Sequence, residues 1–178
     1  MTGIAKEYGE ALYELARDER QLEDIHGELT EIGELMKAQP EFVSLLCSRA
    51  IERAERLKVV DETFTDRAHV FIVNFMKLLV EKERFECFQD CVKWVHQRYN
   101  EDFGILEASV TSAVELSEGD REALRQKLMK MSGKQIALIC RVDASIIGGV
   151  RVEMDGRRYD NTIQNKLERL RQNLAKGL

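Results

Sequence analysis

The sequence lacks any long apolar run. Its most apolar stretch, residues 70–80, is interrupted by Lys77, whereas a helix that crosses a bilayer needs about 20 consecutive apolar residues. A secretory signal pattern is also missing, because the first residues already follow a helical repeat. We therefore expect no membrane span, a cytosolic setting and four reduced cysteines.

An excess of positive charge is missing as well. The 178 residues hold 27 Lys and Arg against 32 Asp and Glu, a net charge of −5, and this argues against nucleic acid as a bulk partner. The charge is uneven along the chain. Residues 1–39 carry four basic and ten acidic residues, whereas residues 156–178 carry six basic and two acidic ones. Ends of opposite sign indicate two different contact surfaces.

The sequence also lacks the motifs of phosphate and dinucleotide sites. SGKQ at 132–135 resembles the end of a phosphate loop, but Leu128 stands where that loop needs glycine and Gln135 where it needs Ser or Thr. Gly148 and Gly149 are followed by neither the third glycine nor the helix of a dinucleotide fingerprint. We assign no catalytic and no cofactor-binding residue.

No spacing of metal ligands is complete. Cys87 and Cys91 are four residues apart, which would place them on one helix face, but His96 lies too far around that helix to join them. Two buried thiols in a helix core are the preferred interpretation. His26, His69 and His96 are scattered through the sequence. We predict no metal site.

What the first half of the chain does have is helical periodicity. Apolar residues recur every three or four positions, and Pro40, the only proline, suits a first helical position. Between residues 70 and 80 they occupy every side of the helix, as in a central helix or one that also faces a partner. We predict a six-helix bundle with helices at 4–20, 21–38, 40–48, 51–64, 67–82 and 85–101.

The pattern changes near residue 104. Strands are predicted at 105–116, 135–143 and 146–154, with a helix from Ser117 to about Met131 between the first two. Asp155-Gly156 is typical of a tight hairpin turn. Ile136, Leu138 and Cys140 alternate onto one strand face, so we expect Cys140 to be buried and free. Residues 1–104 are thus predicted to be all-α, and residues 105–178 to form a small α+β domain of βαββα order.

A last amphipathic helix is predicted from Asn161–Thr162 onward. Its apolar stripe is Ile163, Leu167, Leu170 and Leu174, and we expect most of this stripe to pack on the domain's own sheet. The preceding Gly148-Gly149 pair, placed inside the third strand, indicates a bulge or a close backbone approach.

Several of these segments carry a family resemblance. YGEALYELA at 8–16, NFMKLLVEKERF at 74–85 and VTSAVELSE at 110–118 resemble the delta subunit of the bacterial F-type ATP synthase, known in mitochondria as the oligomycin-sensitivity-conferring protein. The most specific stretch lies at 148–170. There the sequence resembles the family's glycine pair, turn, Asp-x-Ser/Thr and Leu-x-x-Leu, with Asn161 where a small residue is usual and Thr162 where Ser is usual.

The resemblance implies a mechanical function. Such a subunit is not an enzyme; it ties the catalytic head to the peripheral stalk and so resists rotor torque during proton- or sodium-driven ATP synthesis. The implied partners are the alpha subunits of the head, with the beta subunits beside them, for domain 1–104, and subunit b for domain 105–178. The implied location is peripheral, at the cytoplasmic face of the cell inner membrane.

The resemblance also implies residue roles. A groove between the first and fifth helices would bind the N-terminus of alpha, and we assign it Tyr8, Ala11, Leu15, Phe71, Asn74 and Leu78. The structural turn and cap of the second domain are Gly148, Gly149, Asp155, Gly156, Asp160 and Thr162.

Two alternatives stay open at this point. The basic end of the chain favours a nucleic-acid module or another adaptor, although its only aromatic residue is Tyr159. An enzyme whose site is assembled in space from distant residues is the other.

Overall fold

The computed structural model describes residues 3–168. These residues form two compact units, one ending at Tyr99 and the other beginning at Asn100. No helix among them is both long and apolar enough to span a bilayer. Mainly helical structure with a small C-terminal sheet confirms the predicted fold class.

The first unit is built from six α-helices, as predicted. A 3-10 turn at Phe85–Cys87 precedes the last of them, which continues beyond the unit to Asp102. Pro40 occupies the first turn of its helix, where a missing N–H costs nothing. The helices are α1 Gly3–Asp18, α2 Leu22–Ala38, α3 Pro40–Cys47, α4 Arg53–Phe64, α5 Val70–Glu81 and α6 Phe88–Asp102.

Helix α5 lies in the middle of this unit's core. Half of its twelve residues are buried, namely Ile72, Val73, Phe75, Met76, Leu79 and Val80. It packs against α1, α2 and α4. The central position of α5 therefore explains most of the apolar residues that occupy every side of this helix. Val70 and Leu78, however, keep 56% and 38% of their surface exposed. That remainder is available to a partner.

The cysteines of this unit differ from one another. Cys91 is buried in α6, and burial, with Cys87 and Asp90 adding to it, raises the pKa of its thiol to about 12. Cys87 is only half-buried. It lies in the 3-10 turn, which breaks the helical spacing between the two residues. The prediction of two buried thiols on one helix is thus right for Cys91 and wrong for Cys87.

The second unit is a four-stranded sheet with one long helix. Strand β1 is parallel to β2 and antiparallel to β3, and the sheet order is β2-β1-β3-β4. The fourth strand was not among the predicted ones. The elements are β1 Ile105–Ser112, α7 Glu118–Ser132, β2 Gln135–Val142, β3 Val150–Met154, β4 Arg157–Asp160 and a helical segment at 163–168.

The core of the second unit lies between α7 and one face of the sheet. Its buried members are Ala108, Val110, Leu128, Ile136, Val152 and Met154. Leu138 and Cys140 pack against this cluster, which confirms the predicted face of β2. Full burial of Cys140 is wrong, because the residue is only partly covered. Strand β2 ends the sheet, so no further strand shields its outer side.

Helix α7 begins as its sequence predicts. The Ser117 hydroxyl oxygen accepts a hydrogen bond from the Asp120 backbone N–H at 3.2 Å, and the same hydroxyl donates to the Asp120 carboxylate at 2.6 Å. These bonds satisfy donors that a helix start otherwise leaves unpaired. The cap fixes where the chain turns from β1 into the crossover that leads to parallel β2.

Candidate protein-binding surfaces

The six residues predicted to bind a partner lie on one side of each of two helices. Ala11 and Leu15 on α1 and Asn74 and Leu78 on α5 are exposed, while Tyr8 and Phe71 are half-buried. Spacings of three and four residues place each trio on one helix face. None of the six belongs to the buried stripe of its helix. We call this set the α1/α5 surface.

The α1/α5 surface combines apolar and acidic groups. Leu15 and Leu78 keep 42% and 38% of their surface exposed. Glu7, Glu10 and Glu14 alternate with the three α1 positions and are exposed too. Helices α1 and α5 pack against each other, so the two trios lie on neighbouring helices. Because apolar side chains are bordered there by carboxylates, this surface suits an apolar partner with a basic rim.

The first turn of α5 is fixed by side chains. His69 is its N-cap, and the ring Nδ1 accepts a hydrogen bond from the Phe71 backbone N–H at 3.2 Å. The His69 backbone N–H in turn donates to the Glu28 carboxylate of α2 at 2.7 Å. The contact with Glu28 is not visible in the sequence, because Glu28 is 41 residues away from His69.

A second cluster that the sequence does not reveal joins α2 to α6. The His26 and His96 rings share a hydrogen bond of 2.8 Å between Nε2 and Nδ1, and the His26 ring stacks on Tyr99 with centroids 3.8 Å apart. Burial, with His96 alongside, lowers the pKa of His26 to about 4. The pair is 70 residues apart in sequence, so only the fold reveals it.

An apolar cleft of about 390 Å³ opens among α2, α3 and α4. Its apolar lining includes Ile32, Leu35, Met36, Phe42 and Phe64, and charged side chains of Glu28, Glu31 and Arg67 border it. Leu35 keeps 55% of its surface exposed there. We call it the α2 cleft.

The Gly148-Gly149 pair precedes β3 rather than lying within it, so its predicted place inside a strand is wrong. Gly149 has φ +86°, and a side chain there would collide with the Asn161 carbonyl oxygen and approach the Thr162 Cα to 2.9 Å. The Gly148 carbonyl accepts from the Ile163 backbone N–H at 2.9 Å. The pair thus lies directly against the start of the last helical segment.

The other turn and cap residues surround the same place. Asp155 and Gly156 have φ of +52° and +69° and join β3 to β4, as a tight hairpin turn requires. The Asp160 carboxylate accepts from the Thr162 backbone N–H at 3.0 Å and from its hydroxyl at 2.7 Å. Those Thr162 bonds, helped by Arg151, lower the pKa of Asp160 to about 2.

Thr162 then caps the helical segment. Its hydroxyl oxygen accepts from the Asn165 backbone N–H at 3.2 Å, and the Asn165 amide donates to the Asp160 carbonyl at 2.8 Å. Thr162 is almost fully buried. The loop, the strand end and the helix start are therefore held by one hydrogen-bonded network.

Beside this network lies an apolar margin open to solvent. Ile147, Ile163 and Leu167 expose 72%, 45% and 57% of their surface. Ile147 and Leu167 line a cleft of about 480 Å³ that is also lined by Arg151 and Asn165. Leu167 is thus not packed on the sheet, and Leu170 and Leu174 lie outside the described residues, so packing of most of the stripe on the sheet stays a prediction. We call this area the C-terminal cleft.

No group of metal-binding side chains was found among residues 3–168.

Comparison with known proteins gives consistent results. The family described as ATP synthase delta (OSCP) subunit matches residues 4–174. The ATP synthase subunit delta of Desulfitobacterium hafniense strain Y51 is 32% identical over 172 residues, 97% of this chain and 96% of the relative. That of Exiguobacterium sp. strain AT1b is 33% identical over 171 residues, 96% of each chain.

A solved structure has the same fold. A chain of the Toxoplasma gondii mitochondrial ATP synthase hexamer superposes with a TM-score of 0.71 at 16% identity, covering 98% of both chains. At that identity the likeness concerns the fold alone.

Proposed function

The chain belongs to the ATP synthase delta (OSCP) subunit family, and from this membership we propose how its two units divide the work of a stator. The protein is a non-catalytic subunit of the F-type ATP synthase and part of its peripheral stalk. That identity replaces the nucleic-acid, adaptor and enzyme alternatives.

We propose that the helical unit binds the catalytic head through the N-terminus of an alpha subunit, with the beta subunits beside it. The observation that carries this proposal is the α1/α5 surface, where apolar side chains on two packed helices face solvent. An amphipathic helix is the natural ligand of such a surface. Basic residues on that helix would complement Glu7, Glu10 and Glu14.

The sheet-containing unit is proposed to bind subunit b of the peripheral stalk. Its support is the C-terminal cleft, where the exposed side chains of Ile147 and Leu167 lie among the charged side chains of Arg151, Asp160 and Glu168. A charged helix with an apolar edge fits such a margin. In this arrangement the chain is a peripheral component at the cytoplasmic face of the inner membrane.

The head-binding proposal is tested at Ala11. Ala11 is exposed on α1, so Ala11→Trp should leave the unit folded while its ring occupies the space that a partner helix needs. Binding to a synthetic peptide matching the N-terminus of alpha, measured by calorimetry, should weaken by about 10- to 100-fold.

Ala54→Trp is the matched control. Ala54 is an exposed alanine on α4, outside the α1/α5 surface, and this variant should bind the peptide as the wild type does. Equal affinities for Ala11→Trp and the wild type would refute the assignment of the α1/α5 surface.

A further inference from the structure

Helix α5 begins with an uncommon cap. Helix N-caps are usually Ser, Thr, Asp or Asn, but here the imidazole of His69 accepts from the Phe71 N–H at 3.2 Å. The His69 carbonyl accepts from the Ile72 and Val73 N–H groups at 2.9 and 3.2 Å. Every hydrogen bond of this first turn therefore depends on where His69 is held.

Glu28 of α2 holds His69 in place. Its carboxylate accepts from the His69 backbone N–H at 2.7 Å, and both residues are half-buried. A bond to a charged acceptor is stronger than a neutral one, and a carboxylate near a helix start is favoured by the helix dipole. A side chain from a different helix thus fixes the residue that caps α5.

We call the hydrogen-bonded pair of Glu28 and His69 the Glu28–His69 clamp. It contacts the α1/α5 surface through Phe71. The His69 and Phe71 rings meet edge to face, with centroids 4.8 Å apart and planes at 73°, which is a favoured aromatic geometry. We infer that Glu28 and His69 are positioning residues for head binding: they set the first turn of α5, so that Phe71 and Asn74 are presented to the alpha N-terminus. This inference rests on the proposed function of that surface.

The physical reason is the population of the binding-competent turn. Without its cap, a helix start leaves N–H groups unpaired and frays, and affinity falls in proportion to the fraction of molecules in the competent conformation. Phe71 and Asn74 lie in the first two turns of α5, whereas Leu78 lies near its end. Loss of the clamp should therefore disturb Phe71 and leave Leu78 in place.

The experiment compares disruptive with conservative changes in the full chain. Glu28→Ala and His69→Ala each remove one acceptor and should weaken binding of the alpha N-terminal peptide by roughly tenfold. Glu28→Gln keeps an oxygen that accepts from the His69 N–H, and His69→Asn keeps one that accepts from the Phe71 N–H. Glu28→Gln should bind within about threefold of the wild type, and His69→Asn, which loses the ring contact with Phe71, should bind more tightly than His69→Ala but less tightly than the wild type.

Glu31→Ala is the matched control for Glu28. Glu31 lies one turn further along α2 and borders the same α2 cleft, so its loss removes a similar charge without touching His69. Its affinity should equal that of the wild type.

Amide hydrogen exchange separates positioning from general destabilisation. The alanine variants should lose protection in the first turns of α5, at Phe71 and Asn74, and keep it at Leu79 and Val80 in the core. Uniform loss across α5, or conservative variants that bind as weakly as the alanine variants, would overturn the inference. So would alanine variants that bind like the wild type while Ala11→Trp does not. Normal binding by Ala11→Trp would instead refute the proposed head-binding surface itself.

Discussion

Gly149 occupies a position that no L side chain can share. Its φ of +86° is in the left-handed region, and backbone atoms of Asn161 and Thr162 occupy the place of a Cβ. Gly156 has a similar φ of +69°, but nothing lies within 4 Å of its Cβ position. The two glycines therefore separate the conformational cost of a side chain from the cost of a collision.

Gly149→Ala should destabilise the second unit more than Gly156→Ala does. Left-handed backbone alone costs an alanine about 1–2 kcal/mol, and the collision with backbone should raise the total for Gly149→Ala to about 3 kcal/mol or more. Urea unfolding of both variants measures the difference. Equal losses would mean that Asn161 and Thr162 move aside freely, contrary to the network formed by Asp160.

His26 makes the stability of the helical unit depend on pH. Its folded pKa of about 4 lies below the ordinary value of 6.5, so the unfolded chain binds a proton more readily between these values. The contribution of His26 is therefore complete above about pH 6.5 and is lost as pH falls toward 4. Allowing for partial exposure of the ring, the loss is about 1–2 kcal/mol.

His26→Phe tests this linkage. Phenylalanine keeps an aromatic ring beside Tyr99 but does not titrate. Between about pH 7 and pH 4.5, the wild type should lose about 1–2 kcal/mol more unfolding free energy than the variant does. Parallel pH profiles of the two proteins would show that His26 titrates normally in the folded state.

Elements with a clear period could be predicted from the sequence, and those fixed by distant contacts could not. The helices of the first unit follow from apolar spacing, and α7 follows from Ser117 and Asp120. Strand β3 starts later than predicted because Gly149 turns the chain out of extended conformation. Strand β4, Arg157–Asp160, has the sequence RRYD and pairs only with β3. It therefore lacks the alternation of apolar and polar residues by which a strand is predicted.

The same distinction applies to the candidate surfaces. Exposed apolar positions on α1 and α5 could be proposed from a family resemblance, since it supplies a known helix pair. The Glu28–His69 clamp, the His26–His96 pair and the α2 cleft each join residues from separate helices. One sequence carries no signal for these contacts, because they join residues that only the folded chain brings together.

Helix α2 offers a matched pair of glycines for testing helix packing. Gly27 is exposed with nothing within 4 Å of its Cβ position, whereas a Cβ on Gly33 would lie 2.9 Å from Cγ1 of Val92 on α6. The Gly33 carbonyl also accepts from the Gln89 side chain of α6 at 2.9 Å. The absence of a side chain at Gly33 is therefore what allows α2 and α6 to approach closely.

Gly27→Ala and Gly33→Ala should change stability in opposite directions. Alanine is favoured over glycine within a helix, so Gly27→Ala should stabilise by about 0.5–1 kcal/mol. Gly33→Ala has the same local advantage but must displace Val92, and overpacking should leave it destabilised by about 1 kcal/mol. Thermal unfolding distinguishes the two. Equal gains at both positions would show that α6 moves away without penalty.

At the scale of the whole molecule, the two units carry different charge and different exposed surfaces. The helical unit presents Leu15 on the acidic helix α1 and Leu78 on α5, and the other unit, which includes the basic end of the chain, presents Ile147, Ile163 and Leu167. A stator must hold two partners at once, so the proposed division predicts that each contact can be removed without the other. Charge complementarity adds selectivity to each one.

Deletion of residues 163–178 should uncouple the stalk and spare the head. The truncated chain should bind the alpha N-terminal peptide with unchanged affinity, because the α1/α5 surface belongs to the other unit. It should no longer co-purify with subunit b.

Truncation could also unfold the second unit, since the Ile163 backbone N–H donates a hydrogen bond to the Gly148 carbonyl. Ile147→Asp and Leu167→Asp therefore repeat the test at exposed positions, where each should weaken capture of subunit b by about tenfold or more. Val114→Asp is the control, at a residue that is 70% exposed and outside the C-terminal cleft. Undiminished capture of subunit b by the truncated chain and by both cleft variants would exclude this surface as the stalk contact.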